Sequence, residues 1–460
     1  TAITETLADM IQRELGQNVY LCYQCVKCTS GCPLAEHFDL KPNQVMRCLQ
    51  LDDEAVLTSR AIWLCASCQT CTTRCPQGLD IAGIMDTLRI ESKRRGLPPA
   101  IPEVDKFSSL FIRDIGLLGR LYEVGLMAGM NLLTGQLLKD IDMGLEMMKR
   151  RKLNLVPSFI RPPRKVKPIQ ANDMTVAYYP GCSLRSSAAE YDHTVRATAQ
   201  VLGLTLVEPP GWVCCGSTPA HSSDRFLATL LPMRALTTVE QMGLTCVTAP
   251  CSSCFARLKA AARTVSEDDD MAEQVRTRIG YTYRGTVRVQ HMLDTLMERV
   301  GLEKIEASVK RPLTGLKVAC YYGCLVTRPA KVTEADHVEY PMKMDYLMRA
   351  LGAETVDWSY KTDCCGGALS LTQTPLALEL TAKILRNARE CGADVVAAVC
   401  PLCQVNLDAR QSQIGLDFRL PTLYATQLTV LAFGLGASAA ALGKNLVDPQ
   451  PVLRAKNLIS

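Results

Sequence analysis

No apolar leader opens the sequence. Thr1 to Leu21 carries Glu5, Asp9, Arg13 and Glu14 among its apolar residues, so the core of a secretory signal is lacking and cytoplasmic residence is expected. Long hydrophobic runs are equally scarce. The one membrane-like stretch, Ala425 to Leu442, is interrupted by Thr426, Gln427, Thr429, Gly434 and Gly436. About 20 mainly apolar residues can span a bilayer, but Gln427 and the small residues suit a buried terminal helix packed on the last domain, so no integral membrane insertion is expected. A dinucleotide fingerprint is absent too. GLGASA at Gly434 to Ala439 matches G-x-G-x-x-A, yet it is followed by neither a βαβ unit nor an acidic residue about 20 positions on. Hydride or flavin chemistry must therefore come from a partner. Aromatic residues are thin where cations gather: Arg150 to Asp173 holds Arg151, Lys152, Arg161, Arg164, Lys165 and Lys167 with Phe159 as its sole aromatic. That composition offers no base-stacking platform, and nucleic acid is not an expected partner.

What the chain has in quantity is cysteine, 22 in 460 residues. Eighteen of them fall into four groups. The first two are Cys22, Cys25, Cys28, Cys32 with Pro33, and Cys65, Cys68, Cys71, Cys75 with Pro76. Each reads C-x2-C-x2-C-x3-C-P, the run with which bacterial-type ferredoxins hold a pair of 4Fe-4S clusters, the fourth Cys of each run ligating the other cluster. On that rule Cys22, Cys25, Cys28 and Cys75 hold one cubane, and Cys65, Cys68, Cys71 and Cys32 hold the other. Structural zinc takes ligands in separated pairs and closes at four, so a C-x2-C-x2-C triplet has one ligand too many. A disulfide framework belongs to short secreted chains.

Length and composition allow two to four domains with real cores, at 48% apolar and 21% charged residues. Val45, Met46, Leu49 and Leu51 recur at helical spacing after Pro42, Ile81 to Ser92 is amphipathic, and Leu110 to Met148 shows no strand alternation. Residues 1–150 are therefore expected to be mostly helical, with Met127, Met130, Met143, Met147 and Met148 as core filler. Residues 151–173 read as a linker extended by Pro157, Pro162, Pro163 and Pro168, its cations forming a solvated face.

Past the linker the sequence repeats itself. VAYYPGC at 176–182 matches VACYYGC at 318–324, WVCCGS at 212–217 matches TDCCGG at 362–367, and VTAPCSSC ending at Cys254 matches VVAAVCPLC ending at Cys403. Strand, helix, strand, helix, strand describes an α/β unit with a parallel sheet. Residues 174–310 and 311–460 are expected to be two such units, related by duplication. Their cysteines, Cys182, Cys214, Cys215, Cys251 and Cys254 in one copy and Cys324, Cys364, Cys365, Cys400 and Cys403 in the other, stand at or beyond strand C-termini, where open parallel sheets gather ligands. Five thiolates fit neither a tetrahedral zinc nor an ordinary cubane, and adjacent cysteines suit a larger or more open cluster. The remaining Cys48, Cys246, Cys320 and Cys391 read as small buried thiols.

In combination, the double ferredoxin run followed by two CCG patterns resembles the C and B subunits of heterodisulfide reductase fused in that order, over nearly the whole chain. The resemblance implies an α-helical ferredoxin domain with two cubane 4Fe-4S clusters, then two CCG α/β domains that each hold a noncubane 4Fe-4S cluster through five cysteines. It implies a disulfide cleaved between those clusters, electrons arriving from a flavoprotein resembling the A subunit of that reductase, a hydrogenase or formate dehydrogenase as candidate sources, and a hetero-oligomer. One residue departs from the pattern. Reductases acting on the methanogenic heterodisulfide tend to carry a His after the Cys matching Cys324, a candidate proton donor; here it is Leu325. Lys361, Tyr360, Arg328 and His221 lie near cluster cysteines in sequence and are expected to be structural or at the surface, so no catalytic residue is assigned. Similar CCG domains occur in iron–sulfur subunits of glycolate, lactate and glycerol-3-phosphate dehydrogenases. A relay subunit passing electrons from a dehydrogenase to a quinone or other acceptor is the alternative to a disulfide reductase.

Overall fold

Capping residues set the helix starts of the N-terminal region. Thr6 accepts from Asp9 N–H and completes a capping box on α1 (Leu7–Leu15). After the short α2 (Lys27–Ser30), α3 (Pro42–Gln50) has Pro42 at its first position, where a missing N–H costs nothing. α4 (Arg60–Leu64) and α5 (Thr70–Arg74) flank the second cysteine run, and Asp80 caps α6 (Ile81–Arg94). Then come α7 (Pro102–Leu118), α8 (Glu123–Thr134) and α9 (Ile141–Lys149). The computed structural model describes residues 5–161, 163 and 165–460. Thr1 to Thr4, Pro162 and Arg164, read above as part of the N-terminal segment and the linker, lie outside the described residues.

Two four-stranded, all-parallel sheets follow. The first contains β1 (Thr175–Tyr178), β2 (Thr205–Val207), β3 (Cys246–Ala249) and β4 (Arg288–His291) in the order β2-β1-β3-β4. The second contains β5 (Lys317–Tyr321), β6 (Glu354–Thr355), β7 (Val395–Ala398) and β8 (Thr422–Tyr424) in the order β6-β5-β7-β8. The chain is thus multidomain, a helical region ahead of two duplicated α/β domains. Each sheet has one strand more than the repeat predicts. β4 and β8 lie beyond the last cysteine pair of each repeat, with no cysteine motif to mark them. In both sheets the order reverses between the first and third strands, and open α/β sheets bind ligands beyond the C-termini at such a switch point.

The domains share cores. Val247 and Phe255 of the first sheet domain pack in one cluster with Tyr321 and Val396 of the second, while Cys364, Leu369 and Leu380 join the core of the helical region. Tyr191 stacks on Tyr424 with ring centroids 4.0 Å apart, and His291 Nε2 lies 3.1 Å from Pro250 O and 3.2 Å from Val399 O.

Three expectations need correction. The linker cations do not all face solvent: Lys152 is buried in an ion pair with Glu190, and Arg150 bonds Glu146 and the Gly443 carbonyl. Within the run Ala425 to Leu442, the helix Ala425–Ala432 is wholly buried, as its small residues suggest, but it stops there and Gly434 turns left-handed at φ +74°. Among the described residues no helix is long and apolar enough to cross a membrane. Lastly, Cys246 and Cys320 are buried, whereas Cys391 is exposed and Cys48 half-buried.

Candidate functional site

The two ferredoxin runs fold into matching loops. Gln24 and Val26, two and four residues after Cys22, take left-handed φ values of 60° and 65°; Ser67 and Gln69, at the same offsets from Cys65, take 50° and 63°. Non-glycine residues rarely adopt this conformation, and its repetition bends both loops round an inner volume. A small cavity of about 20 Å³ is lined by Cys32, Cys65, Cys68 and Cys71 together, so the fourth cysteine of the first run meets the first three of the second. Burial, then the neighbouring Cys65, Cys68 and Cys32, pushes the Cys71 thiol well up; burial likewise pushes Cys65 and Cys32 to about 12. At the other set, Cys28 lies beside Cys22 and Cys25, while Tyr23 is close to both Cys25 and Cys75.

Each sheet domain gathers its five cysteines at the switch point. Cys182 follows β1, Cys214 and Cys215 follow β2, Cys251 caps the helix Ser252–Glu267 after β3, and Cys254 sits in that helix's first turn. Cys215 Sγ is 3.4 Å from Cys254 Sγ. The second domain repeats this, with Cys400 capping the helix Pro401–Ala409. The scaffolding repeats as well: Tyr179 OH donates to Val213 O at 2.6 Å, and Tyr321 OH donates to Asp363 O at 2.6 Å. Neighbouring thiols and burial push Cys214, Cys254 and Cys403 well above the ordinary thiol range, the first causes being Cys182, Cys215 and Cys365 respectively. So many buried thiols cannot ionise together without cations among them.

These donor sets fit iron–sulfur clusters better than single ions. Among the described residues no group of three His, Cys, Asp or Glu converges closely enough for one metal ion, whereas a cluster spreads its ligands over several irons. Backbone N–H groups already point at sulfur. Leu121 N donates to Cys182 Sγ at 3.5 Å, and Gly366 N donates to Cys364 Sγ at 3.4 Å, the kind of contact that tunes cluster potentials.

The four sets are also brought together across domains. Cys68 and Cys364 lie in one buried core, linking the second ferredoxin loop to the second CCG set, and Cys251 and Cys400 lie in another, linking the two CCG sets. Above the CCG sets lies an apolar cavity of about 220 Å³. Cys324, Leu325, Cys364, Cys365, Cys400 and Cys403 form its floor, and Met127, Met143, Met147 and Phe111 of the helical region form its opposite wall. Met127, Met143 and Met147 are therefore cavity wall rather than mere filler, and Met148 is exposed. The polar groups in the cavity are few. Arg410 is neutralised by Asp140 at 2.7 and 3.0 Å. Glu123 accepts from Ser187 N–H at 3.1 Å and from Ser187 Oγ at 3.0 Å, and burial raises its pKa.

Glu123 escaped the reading of the sequence, although it is the only charged residue between Arg120 and Lys139. The four residues near the cysteines in sequence are held in contacts of their own. Arg328 is buried and donates to Thr70 Oγ1 at 2.8 Å and Thr362 O at 3.0 Å; Lys361 pairs with Asp345 at 2.8 Å; His221 Nδ1 meets Asp86 at 2.8 Å; Tyr360 packs against the core shared by the sheet domains.

Fold and donor sets define an iron–sulfur protein with a dicluster ferredoxin domain and a duplicated cysteine-rich domain. Sequence comparison agrees: residues 21–80 match the 4Fe-4S dicluster domain, and residues 176–259 and 318–408 each match the cysteine-rich domain family. The chain is similar to the 8-methylmenaquinol:fumarate reductase membrane anchor subunit of Wolinella succinogenes, at 33% identity over 277 residues, 59% of this chain and 96% of that protein. It is similar, at 28% identity over 283 residues, 59% of this chain and 94% of that protein, to the B subunit of the ferredoxin/F420H2-dependent CoB-CoM heterodisulfide reductase of Methanosarcina acetivorans. The chain belongs to the heterodisulfide reductase family, with a ferredoxin domain like that family's C subunit fused ahead of a pair of CCG domains like its B subunit. It is an oxidoreductase component that uses 4Fe-4S clusters. A solved structure of a hypothetical protein from Helicobacter pylori shares the fold at TM-score 0.52 and 11% identity, covering 71% of this chain and 61% of that one.

Proposed function

We propose that the chain is the acceptor-reducing component of a cytoplasmic heterodisulfide reductase-like complex, and that its acceptor is a thiol disulfide cleaved between the two CCG domains. In this reading residues 1–150 are the electron-input domain, 151–173 a connecting strap, and 174–310 and 311–460 the reaction domains. Cys22, Cys25, Cys28 and Cys75 hold one cubane, and Cys65, Cys68, Cys71 and Cys32 the other. Cys182, Cys214, Cys215, Cys251 and Cys254 hold one noncubane cluster, and Cys324, Cys364, Cys365, Cys400 and Cys403 the second. When bound, the clusters supply one-electron transfer and open iron positions for sulfur.

The chain's own residues do the rest. Leu121 and Gly366 N–H groups steady two sulfurs, Met127, Met143 and Met147 keep water out, and Glu123 brings a carboxyl of raised pKa to the cavity. Breaking an S–S bond with two electrons needs two protons to yield two thiols, and the Glu123 carboxyl, its pKa raised, is a fitting source of one of them. The observation that carries this reading is the packing of Cys251 and Cys400 in one core, which sets two reaction sites side by side for the two halves of one disulfide. The packing of Cys68 and Cys364 in one core supports entry of electrons through the second CCG set, with a flavoprotein resembling the family's A subunit as donor and a hydrogenase or formate dehydrogenase upstream. Anaerobic reconstitution should give about 16 iron atoms per chain, and a thiol disulfide should change the EPR spectrum of the oxidised protein. Silence across a panel of disulfides would overturn the assignment.

The cavity lining favours a second reading. Its only guanidinium in reach, Arg410, is already paired, and Leu325 stands where a proton-donating His would be. A lipophilic quinone suits such walls, and the relative from Wolinella succinogenes is named for a methylmenaquinol. Oxidation of the reduced clusters by a menaquinone analogue, with no response to disulfides, would select this reading.

A further inference from the structure

The two CCG sets belong to one duplicated unit, so a charge that stands beside one set and not the other tells them apart. One pair of charges is matched. Arg120 Nε donates to Trp212 O at 3.2 Å, two residues before Cys214, and Arg328 Nη1 donates to Thr362 O at 3.0 Å, two residues before Cys364. These two guanidiniums cancel in the comparison.

Two other positions do not match. One helical turn beyond the last cysteine of each set, the first copy has Arg257 and the second Asn406; just before each Cys-Cys pair, the first has Val213 and the second Asp363. Asn406 is neutral and buried, and its Nδ2 lies 3.8 Å from Cys365 Sγ. Arg257 holds the corresponding place beside Cys215. That thiol is kept well below the ordinary range by Cys214 and Cys254 first, then by the Ser217 N–H and the Arg257 charge, against burial. Arg257 also lines a cavity of about 200 Å³ with Asp80, Asp86 and His221. Both carboxylates there are engaged elsewhere, Asp86 with His221 at 2.8 Å and Asp80 with Thr72 Oγ1 and Gly83 N–H at 3.0 Å. In the second copy Asp363 adds a carboxylate, and Arg74, which also faces it, is paired with Glu339. The first set thus meets a cation where the second meets a neutral amide and an acid. Nearby positive charge raises a cluster's potential and negative charge lowers it.

We propose that Arg257 sets the first CCG set at a higher reduction potential than the second. An electron shared between them then rests mainly on the first, which is reduced as the second is reoxidised. The inference rests on each set holding a cluster, as proposed above, and holds for either acceptor. Its test is an anaerobic dithionite titration of the iron-loaded protein, followed by EPR and absorption at about pH 8, where carboxyl groups are ionised. Two midpoints should appear besides those of the ferredoxin clusters. Arg257→Gln should lower the higher one by about 59 mV, a tenfold change in a one-electron equilibrium. Arg257→Lys keeps the charge and should hold the parent value, a rescue that a merely structural role would not give. Asp363→Asn should raise the lower midpoint, closing the gap from the other side. Iron of about 16 atoms per chain, with midpoints unmoved by Arg257→Gln or moved as far by Arg257→Lys, would overturn this proposal alone. Iron of about eight atoms in the parent would overturn the cluster reading and this proposal with it.

Discussion

A glycine precedes the first cysteine of each CCG set because the space beside it belongs to another cysteine of the set. At Gly181, φ is +77° and a Cβ would stand 2.8 Å from Cys254 Sγ; at Gly323, φ is +71° and a Cβ would stand 3.0 Å from Cys403 Sγ. Both the backbone conformation and the contact exclude a side chain. Gly181→Ala should therefore lose the metal of the first CCG set alone, taking iron from about 16 to about 12 atoms per chain, and Gly323→Ala should do the same at the second. Equal iron in variant and parent would show that the sulfurs have room to retreat. Glu123 is the other residue whose role is local. Burial keeps its carboxyl protonated further up the pH scale than an exposed Glu. Activity that uses that proton is present at low pH and falls as pH rises through the raised pKa. Glu123→Gln should lower turnover by about 10²-fold and remove that limb of the pH profile, while leaving iron content intact. An unchanged profile in the variant would assign the limb to another group.

At the scale of elements, the ferredoxin loops hold four non-glycine residues in left-handed conformation, and Val26 is the most costly because it is β-branched. Its side chain is 44% exposed, so little packing is lost by removing it. Val26→Gly should stabilise the iron-loaded protein by about 1 kcal/mol, the relief of left-handed strain less the extra freedom of glycine. Denaturant unfolding under anaerobic conditions reads this directly, and a destabilised variant would mean that the side chain supports the loop. The spacing of the cysteines was legible in the sequence because three ligands within one loop are a local feature. The same locality explains why Pro42 and the amphipathic run from Ile81 marked α3 and α6 correctly. What stayed hidden was either unmarked or too distant in the chain. β4 and β8 come after the last cysteine pair of each repeat and carry no motif of their own, and the partner of Lys152 is Glu190, on another domain. No composition of the linker alone could tell a buried lysine from a solvated one.

Over the whole molecule, the order of the cysteine sets in space differs in kind from their order in sequence. The sequence shows four sets; the fold joins them into a line through Cys68 with Cys364 and Cys251 with Cys400, packing made only when the domains dock. The cavity is a product of docking too, since its methionine wall and its cysteine floor come from different domains. The contacts that fix this arrangement are thus as important to the proposed function as the cysteines themselves. One of them is pH-sensitive. His221 of the first CCG domain meets Asp86 of the ferredoxin domain at 2.8 Å, with Arg257 and Arg89 also facing it. Burial, aided by the arginines, lowers the His221 pKa below its ordinary 6.5 despite Asp86, so the folded protein keeps the imidazole neutral. Burial works to raise the Asp86 pKa, but the hydrogen bond with His221 and the charges of Arg89 and Arg257 outweigh it and hold the carboxyl below its ordinary 3.8. Unfolded chains take up a proton on His below pH 6.5, and the folded chain resists doing so. The stabilisation is accordingly complete above about pH 6.5 and is lost as pH falls through the depressed folded value; Asp86 adds its own loss only below its unfolded value of 3.8. The thermal midpoint of the iron-loaded protein should therefore drop between pH 7 and pH 5, and His221→Asn, which keeps a donor for Asp86 but cannot titrate, should flatten that drop. Parallel curves for the two proteins would show that domain docking does not depend on this pair and that the line of cysteine sets is held by its apolar cores alone.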